Sequence, residues 1–413
     1  MIIKRDYYLQ QLISSKSNNL IKIVTGIRRS GKSFLLFNLF HNHLIETGIS
    51  EDHIIEIALD DRLNKNLRDP DVILRHIHER IVDDKLYYII LDEVQMIEEF
   101  TDMLNSLLHI RNADVYVTGS NSKFLSKDVV TEFRGRGDEI HLFPLSFAEL
   151  YNSVGGDKFE LWKSYYTYGG LPGILELDSD KKKAAYLRSL HETVYLKDII
   201  ERNNLKNSEE FMELMRVMAS CIGSPCNPSK LENTFKSVKN ENLDRKTISK
   251  YLSYMEDAFL IEKSMRYDIK GRKYIGTLSK YYFQDIGLRN ALLNFRQVEE
   301  NHIMENVIYN ELRLRDFCVD VGMVEARTAK ERKQLEVDFV ANMADRRYYI
   351  QSAFAMPDDA KREQECASLK RIDDSFKKII IMRDDIKPYH DNNGFYIVGL
   401  MDFLLKPDLM EQL

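Results

Sequence analysis

Short apolar runs alternate with amphipathic segments over the first 150 residues of the chain. The runs are rich in β-branched residues and contain few polar positions, which is typical of strands buried on both faces of a sheet. They cover residues 21–25, 54–59, 87–91, 115–119 and 140–143. The segments between them have the spacing of helices. Repeated alternation of strand and helix predicts a parallel sheet covered by helices, which is an α/β fold.

The pattern changes after this first region, and the changes predict further domains. Residues 151–206 are helical, apart from a Gly/Pro turn at residues 168–173 that separates two helices. Residues 207–290 have the pattern of several short helices followed by a basic hairpin, and residues 291–413 return to mixed helix and strand. We therefore predict four domains, with boundaries at residues 150, 206 and 290.

The composition is that of a soluble cytoplasmic protein. Of the 413 residues, 44% are apolar and 30% are charged, and no apolar stretch is long enough to span a membrane. The amino terminus lacks the apolar core of a secretory signal, and the four cysteines have no metal-ligand spacing, which fits a reducing compartment. The net charge of −6 argues against a surface that is basic throughout, but it allows a local basic patch.

A glycine-rich loop follows the first predicted strand and precedes a helical segment. From Gly26 to Ser33 it fits G-x-x-x-x-G-K-S, in the strand–loop–helix context that this pattern requires. The glycines let backbone N–H groups point at phosphate oxygens, Lys32 can reach the β- and γ-phosphates, and the Ser33 hydroxyl can bind Mg²⁺. The pattern predicts an ATP site lined by Gly26, Ile27, Arg28, Arg29, Ser30, Gly31, Lys32, Ser33 and Phe34.

Two acids, Asp92 and Glu93, follow the apolar strand at residues 87–91. Asp92 is expected to hold Mg²⁺ through water, because this ion keeps several waters and accepts few carboxylates. Glu93 is expected to orient and deprotonate the attacking water. The dipole of a following helix would also favour an acid here, but two acids downstream of a phosphate loop favour catalysis. The pair predicts that ATP is hydrolysed as well as bound.

Polar residues after the next strand are candidates for a sensor of the γ-phosphate. Ser120 and Asn121 directly follow the predicted strand at residues 115–119. The alternative is that they form an ordinary turn after the strand. Arg134 and Arg136 lie farther along the chain. Arg136 is a candidate arginine finger for the ATP of a neighbouring subunit, because guanidinium presents a planar fork of donors. A solvated loop arginine is the alternative.

Residues 208–265 and the hairpin after them fit a winged helix. Residues 243–255 predict a helix with Asp244 as its N-cap, and a hairpin with a basic tip follows. Residues 229–281 carry twelve Lys and Arg against seven Asp and Glu, a local net charge of +5. Such contrast is typical of a surface that binds the phosphate backbone of DNA, and packing against the ATPase or a protein partner is the alternative. The candidate DNA contacts are Arg245, Lys246, Arg272 and Lys273.

The last region has the skeleton of a PD-(D/E)XK nuclease. Glu305 and Glu311 lie on a predicted helix, Asp338 in a predicted strand, and Gln351 in the strand after it. Nucleases of this type use acids to bind a metal ion and a lysine two residues after the second acidic position to help activate water. Here that position is Ala353. The sequence therefore predicts a degenerate site formed by Glu311, Asp338 and Gln351, without cleavage, unless Lys361 on the next helix replaces the lysine.

Taken together, these motifs resemble a bacterial and archaeal family of AAA+ ATPases with a winged-helix region and a nuclease-like carboxyl-terminal domain. The resemblance covers nearly the whole chain. It implies a parallel-sheet AAA+ domain with an extra strand between the two strands that carry the nucleotide motifs, followed by a helical lid, a winged helix and a restriction-nuclease-like α/β domain. It also makes Arg136 the arginine finger. The motifs are GIRRSGKS, LDEVQ, VTGSNS, FRGRG followed by FPLSFAEL, YGGLP, YLKDII, KYYFQDIGLRN, EN-x-x-YNEL and EVDF.

These interpretations combine into one prediction of function. The chain is expected to be an ATPase that uses ATP and Mg²⁺, forms homo-oligomers and couples ATP turnover to recognition or remodelling of DNA. One alternative is an ATP-regulated nuclease, which a Mg²⁺-dependent cleavage assay would reveal. The other is a switch-type NTPase that acts on protein partners, which DNA binding measured over a salt series would distinguish.

Overall fold

The structure, a computed structural model, describes residues 3–119, 135–239, 243–327 and 332–412. These residues form two units. The first comprises residues 1–144 and 257–259, and the second comprises residues 145–256 and 260–413. No helix within the described part of the chain is both long and apolar enough to cross a membrane.

The first unit is built on a five-stranded sheet in which every pairing is parallel. Its strands are β1 (Ile21–Thr25), β2 (Ile54–Ala58), β3 (Tyr87–Asp92), β4 (Ala113–Thr118) and β5 (Gly137–His141). The order across the sheet is β2-β3-β4-β1-β5, so that β4 lies between β1 and β3. The predicted parallel sheet is confirmed, and so is the extra strand between the two strands that carry the nucleotide motifs.

Helices cover both faces of this sheet. Alternate strand residues enter two separate apolar clusters: Ile23 and Ile89 belong to one, Val24 and Ile90 to the other. This alternation is expected because successive side chains of a strand point to opposite faces. The α-helices are α1 (Asp6–Ser14), α2 (Lys32–Phe34), α3 (His41–Glu46), α4 (Pro70–Arg80) and α5 (Phe100–Leu107), with a π-helical segment at Leu35–Phe40 and 3₁₀ turns at Glu51–His53, Arg62–Arg68 and Val94–Met96.

The second unit contains an eight-stranded mixed sheet. Its strands are β6 (Ile261–Asp268), β7 (Lys273–Phe283), β8 (Cys318–Arg327), β9 (Arg332–Met343), β10 (Arg346–Ala353), β11 (Lys377–Met382), β12 (Tyr389–His390) and β13 (Tyr396–Gly399), in the order β12-β13-β11-β10-β9-β8-β6-β7. The predicted basic hairpin is β6 and β7, and β6 also pairs with β8 in parallel. One sheet therefore crosses the predicted boundary at residue 290, and the four-domain division stays a prediction.

Helices account for most of the second unit before its sheet. They include the two helices predicted around the Gly/Pro turn, and α12 is confirmed as the predicted helix after Asp244. The α-helices are α6 (Phe147–Val154), α7 (Lys158–Tyr168), α8 (Asp180–Leu190), α9 (Lys197–Asn203), α10 (Ser208–Ser220), α11 (Pro228–Thr234), α12 (Arg245–Asp257), α13 (Ile286–Leu292), α14 (Glu300–Leu314), α15 (Asp359–Cys366) and α16 (Leu400–Leu405). The π-helical segments are His191–Leu196 and Phe235–Lys239, and the 3₁₀ turns are Pro172–Glu176, Leu369–Arg371 and Pro407–Met410.

The Gly/Pro turn after α7 is locked to the start of α13. The carboxylate of Asp285 accepts the N–H of Gly170 at 2.8 Å and caps α13 by accepting the N–H of Leu288 at 2.9 Å. Gly169 has φ of +76°, and a Cβ there would lie 2.4 Å from the Asp285 oxygens. Asn290 donates its amide to two carbonyls at the end of α7, both at 2.9 Å. The motifs YGGLP and QDIGLRN are therefore joined by hydrogen bonds, and each stabilises the conformation of the other.

Candidate functional site

The predicted phosphate loop lies at the carboxyl end of β1. Gly26 has φ of +135°, and a Cβ at this position would lie 2.2 Å from the carbonyl oxygen of Leu142. Gly31 has φ of +100° and precedes α2, which continues helically through residue 46. Both positions therefore require glycine. The side chains of Ile27 and Ser30 are buried, whereas Arg29 and Phe34 are exposed.

Lys32 folds back into this loop. Its ammonium group donates to the carbonyl of Gly26 at 3.0 Å and to that of Ile27 at 3.2 Å, and the residue is 5% exposed. Burial lowers the pKa of Lys32 to about 8, an effect that the negative charges of Glu93 and Asp92 oppose. The ammonium group of Lys32 is thus bound to carbonyl oxygens of the loop, and a bound anion could replace these oxygens as its hydrogen-bond acceptor.

Two side-chain hydroxyl groups donate hydrogen bonds to Asp92 at the end of β3. The Ser33 hydroxyl donates to Oδ2 of Asp92 at 2.7 Å, and the Thr118 hydroxyl donates to Oδ1. Burial raises the pKa of Asp92, and these two hydrogen bonds oppose that rise. Thr118 also accepts the backbone N–H of Glu93 at 2.9 Å. Because β4 neighbours β3, its last residue reaches both acids at the same edge of the sheet.

Glu93 occupies a backbone conformation that is uncommon for a residue with a side chain. Its φ is +54°, in the left-handed region, immediately before the turn Val94–Met96. The Gln95 amide donates to the Glu93 carboxylate. A strained backbone of this kind persists only when its surroundings hold it, and here the hydrogen bond from Glu93 to Thr118 contributes.

The residues at this edge fit a phosphate ligand with its magnesium ion. Mg²⁺ prefers oxygen ligands, and the Ser33 hydroxyl and Asp92 carboxylate present two oxygens 2.7 Å apart. Gly31 and the start of the helix after it provide backbone N–H groups for an anion. The loop, Lys32, Ser33, Asp92 and Glu93 are therefore brought together as the sequence predicts.

Arg5 contacts the phosphate loop, and the sequence did not predict this contact. Its guanidinium, 4% exposed, donates to the carbonyl of Phe143 at 2.7 Å and to that of Ser30 in the phosphate loop at 3.4 Å. It also lies 4.6 Å from the ring centroid of Tyr8, a cation–π contact. Thr118 was missed as well. A hydroxyl at the carboxyl end of the strand beside β3 was the available signal for Thr118, whereas nothing local marks Arg5.

The remaining candidates of the first unit have different outcomes. Ser120, Asn121 and Arg134 lie outside the described residues. Arg136 is exposed and donates to the side-chain oxygen of Asn105 at 3.4 Å. Its carbonyl accepts the N–H of Ile21, at the amino end of β1. The phosphate loop begins at the other end of β1, about 13 Å away along the strand.

The four candidate DNA contacts are exposed in the second unit. Arg245 and Lys246 begin α12, and Asp244 caps this helix by accepting the N–H of Lys246 at 2.7 Å, which confirms the predicted N-cap. Arg272 and Lys273 lie at the tip of the β6–β7 hairpin, where Arg272 has φ of +50°. Among the basic residues counted between 229 and 281, Arg266 and Lys280 are buried and cannot contribute to a surface charge.

The predicted nuclease-like residues meet on adjacent strands. Asp338 of β9 is 8% exposed and accepts the N–H of Ser352 in β10 at 2.8 Å. Burial, followed by the negative charge of Glu305, raises the pKa of Asp338 to about 8, and the charge of Lys280 opposes the rise. Oε1 of Gln351, on β10, is buried without a hydrogen-bond partner among the described residues. Ala353 is buried in the apolar core beside these strands.

The acid beside Asp338 is Glu305 and not the predicted Glu311. Glu311 makes a two-pronged ion pair with Arg315, at 2.9 and 2.7 Å. The two glutamates are six residues apart on α14, a rotation of about 240° around the helix, so that they face different directions. Lys361, proposed as a substitute lysine, pairs with Glu365 at 2.6 Å.

A buried lysine lies among these acids instead. We call the group formed by Glu305, Glu336 and Asp338 the acid centre. Lys280 of β7 contacts Glu305 at 2.8 Å and Glu336 at 2.7 Å. Burial alone would lower the pKa of Lys280, but the charges of Glu305, Asp338 and Glu336 raise it above its ordinary value. The motif KYYFQD contains Lys280, but no spacing in the sequence connects it with the acids.

Two sequence-family models and two relatives match this chain. Residues 18–151 match the sequence model of the AAA domain, and residues 159–299 match a domain of unknown function. An uncharacterized protein of Haemophilus influenzae is 33% identical over 414 residues, which covers 98% of this chain and 99% of that protein. An uncharacterized protein of Methanocaldococcus jannaschii is 28% identical over 391 residues, covering 90% of this chain and 82% of that protein.

Solved structures give weaker similarities. The Orc1 protein of Aeropyrum pernix in complex with DNA aligns with a TM-score of 0.29 and 12% identity, over 71% of this chain and 92% of that chain. Cdc6p from Pyrobaculum aerophilum aligns with a TM-score of 0.30 and 12% identity, over 73% of this chain and 94% of that chain. These scores are too low to transfer any property from either structure.

Proposed function

The chain belongs to the same protein family as the Haemophilus influenzae protein, and we propose that it is a magnesium-dependent ATPase of the AAA+ class. The AAA domain match over residues 18–151 supports the class. The observation that carries the proposal is the meeting of Ser33 and Thr118 on the carboxylate of Asp92, with Glu93 attached to the same threonine.

Each residue then has a chemical task. Lys32 and the N–H groups of the loop bind the phosphates, and Ser33 and Asp92 would hold a magnesium ion. When bound, this ion would supply positive charge beside the phosphate oxygens. Glu93 accepts a proton from water, and Thr118 holds the backbone of Glu93 beside Asp92. Arg28, which lies in the loop, adds positive charge near Lys32.

The test is ATP turnover in the Glu93→Gln variant. We expect ATP to bind with unchanged affinity and hydrolysis to fall about 10²- to 10⁴-fold, since only the proton acceptor is lost. Glu98→Gln, the same substitution on an exposed residue five positions later, is the matched control and should keep full turnover. Full turnover in Glu93→Gln would remove Glu93 from this role. Turnover unaffected by both Lys32→Ala and magnesium removal would overturn the ATPase proposal.

We further propose that ATP turnover is coupled to DNA through a winged helix that includes α12 and the β6–β7 hairpin. The exposure of Arg245, Lys246, Arg272 and Lys273 supports this proposal. The nuclease-like region then serves for binding without cleavage. Cleavage of supercoiled or single-stranded DNA in Mg²⁺ that disappears in Asp338→Ala would instead favour the nuclease. Binding that does not depend on salt would favour a switch that acts on protein partners.

A further inference from the structure

The acid centre of the second unit carries its own cation. We infer that Lys280 occupies the place that a divalent metal ion takes in a nuclease-like centre, so that this centre does not bind metal. The inference concerns the second unit and is independent of the proposed ATPase activity. It differs from the sequence prediction, which assigned the degenerate site to Glu311, Asp338 and Gln351 and did not include Lys280.

The contacts of Lys280 show how completely it fills the position. Its side chain is 3% exposed, and its ammonium group lies 2.8 Å from Oε1 of Glu305 and 2.7 Å from Oε1 of Glu336. These are the distances of strong charge-assisted hydrogen bonds. The same Oε1 of Glu305 also accepts the hydroxyl of Tyr282 at 2.8 Å. Both glutamates are thus engaged by donors of the chain itself.

The backbone fixes the position of Lys280. It lies opposite Ser264 in the β6–β7 pairing. Three residues later, the backbone N–H and C=O of Phe283 form a pair of hydrogen bonds with the side-chain amide of Asn306 on α14, both 2.7 Å long. Asn306 follows Glu305 directly, so that the lysine and its acid are held in register by neighbouring residues. These contacts hold the backbone of Lys280 beside Glu305.

A metal ion does not fit beside this ammonium group. Mg²⁺ and Mn²⁺ bind carboxylate oxygens directly and would have to replace the lysine between Glu305 and Glu336. Two cations at such short range repel each other strongly in a buried place. In the part of the chain that the structure describes, no group of three or more His, Cys, Asp and Glu side chains is placed to hold a metal.

Ions from solvent have access to the acid centre, so a lack of access is not what prevents metal binding there. Glu305 and Ser352 line an open recess of about 690 Å³. Ions from solvent can therefore reach the edge of the acid centre, and the charge of Lys280 is what excludes them. This distinction makes the inference testable, because removing the charge should open the site to metal.

The experiment is Mn²⁺ binding to the full chain without nucleotide, measured by calorimetry and by electron paramagnetic resonance of the free ion. Wild type should have no saturable site that depends on Asp338. Lys280→Met should gain one site per chain, and the double variant Lys280→Met/Asp338→Asn should lose it. Mn²⁺ bound in the phosphate loop is recognised because it persists in both variants.

Thermal melting provides an independent measurement. Without metal, Lys280→Met should melt about 5 to 10 °C below wild type, because buried carboxylates lose their counter-ion, and Mn²⁺ should reverse part of the loss. Lys280→Arg keeps the charge and should show no Mn²⁺ effect. Lys263→Met removes an exposed lysine of the adjacent strand and should melt like wild type.

Two results would overturn the inference. One is saturable Mn²⁺ binding to wild type that disappears in Asp338→Asn. The other is a folded Lys280→Met variant that neither gains a site nor responds to Mn²⁺. If Lys280→Met does not fold, the comparison of wild type with Asp338→Asn alone decides the question.

Discussion

At the scale of single residues, the nucleotide site is organised by hydroxyl groups that join its carboxylates. Ser33 and Thr118 each donate to one oxygen of Asp92, and Thr118 also accepts the N–H of Glu93. Thr118 is fully buried, so that its hydroxyl has no water as an alternative partner. Thr118 therefore fixes the positions of Asp92 and Glu93 relative to each other, and these two acids have different roles.

Replacing Thr118 by valine should therefore damage the site more than its size suggests. Valine keeps the shape but leaves a carboxylate oxygen and an N–H without their partner, at a cost of about 1–3 kcal/mol in the free energy of unfolding. We expect turnover to fall about 10²-fold because Glu93 loses its position. Thr118→Ser retains the hydroxyl and should remain close to wild type in both melting temperature and turnover. Equal activity of the two variants would contradict this role.

Nucleotide binding should depend on pH through Lys32. Its pKa is about 8 in the free protein, and bound phosphates favour the charged form, which raises the pKa in the complex. Affinity for ATP should consequently be constant below about pH 7 and fall as the pH rises through 8. Calorimetry between pH 6.5 and about 9.5 measures this dependence. Lys32→Arg stays charged over this range, and a fall of the same size in that variant would refute the assignment to Lys32.

At the scale of elements, the glycine-rich turn after α7 and the start of α13 depend on each other. Asp285 is fully enclosed, and burial raises its pKa to about 6 although several backbone N–H groups donate to it and oppose the rise. Both of its oxygens accept hydrogen bonds, one from Gly170 and one from Leu288. A carboxylate suits this place because the groups that form hydrogen bonds with it are backbone N–H donors.

The variant Asp285→Asn tests how much these hydrogen bonds contribute to stability. The amide group of asparagine would place N–H donors against a backbone N–H, and we expect a loss of about 2–3 kcal/mol in the free energy of unfolding. Urea denaturation measures this loss. Asp178→Asn, the same change at an exposed position, is the control and should have no effect. An Asp285→Asn variant as stable as wild type would show that the hydrogen bonds are dispensable.

The hairpin and α12 are the elements proposed to meet DNA. Reversing the charges of Arg245, Lys246, Arg272 and Lys273 should weaken binding equally for all sequences. It should also reduce the slope of log affinity against log salt by about 0.9 per lost contact. Reversal of the exposed Lys181 and Lys182 on α8 is the control. An unchanged slope in the fourfold variant would reject these residues as phosphate contacts.

The sequence predicts elements better than it predicts partners. The strands β1 to β4 lie within two residues of their predicted bounds, because continuous apolar runs mark them. β5 begins at Gly137, three residues before the predicted start, because its first residues are polar and largely exposed. Lys22 is fully buried in β1, paired with Asp114, and nothing in the local pattern reveals that partner. Lys280 was missed for the same reason, since its acids come from distant parts of the chain.

At the scale of the whole molecule, the position of Arg136 bears on assembly. It lies at the amino edge of the first sheet, whereas the phosphate loop lies at the carboxyl edge. An arginine so far from the loop of its own chain can serve as a finger only for the nucleotide of another chain. The homo-oligomer that the sequence predicts would supply such a second chain.

Mixing two inactive variants tests the assembly. Arg136→Ala and Lys32→Ala chains should each have little activity, and their mixture should regain part of it, because some sites combine an intact loop with an intact finger. An arginine finger contributes about 10³- to 10⁵-fold in rate, so that partial recovery is measurable. Arg111→Ala, an exposed arginine of the same unit, should be active without mixing. No recovery, with turnover per chain independent of concentration, would place the complete site within one chain.

The pairing of β6 with β8 limits how the protein can be divided. A chain ending near residue 290 would keep β6 and β7 but lose β8, leaving unpaired N–H and C=O groups along the freed edge from Arg266 to Asp268. Such an edge invites pairing with other copies. The same cut would remove Glu305 and Glu336, so that Lys280 would lose both carboxylates that pair with it. A winged-helix fragment prepared at the boundary that the sequence suggests should therefore self-associate and precipitate, whereas a fragment that runs from residue 145 to the carboxyl terminus should stay monodisperse.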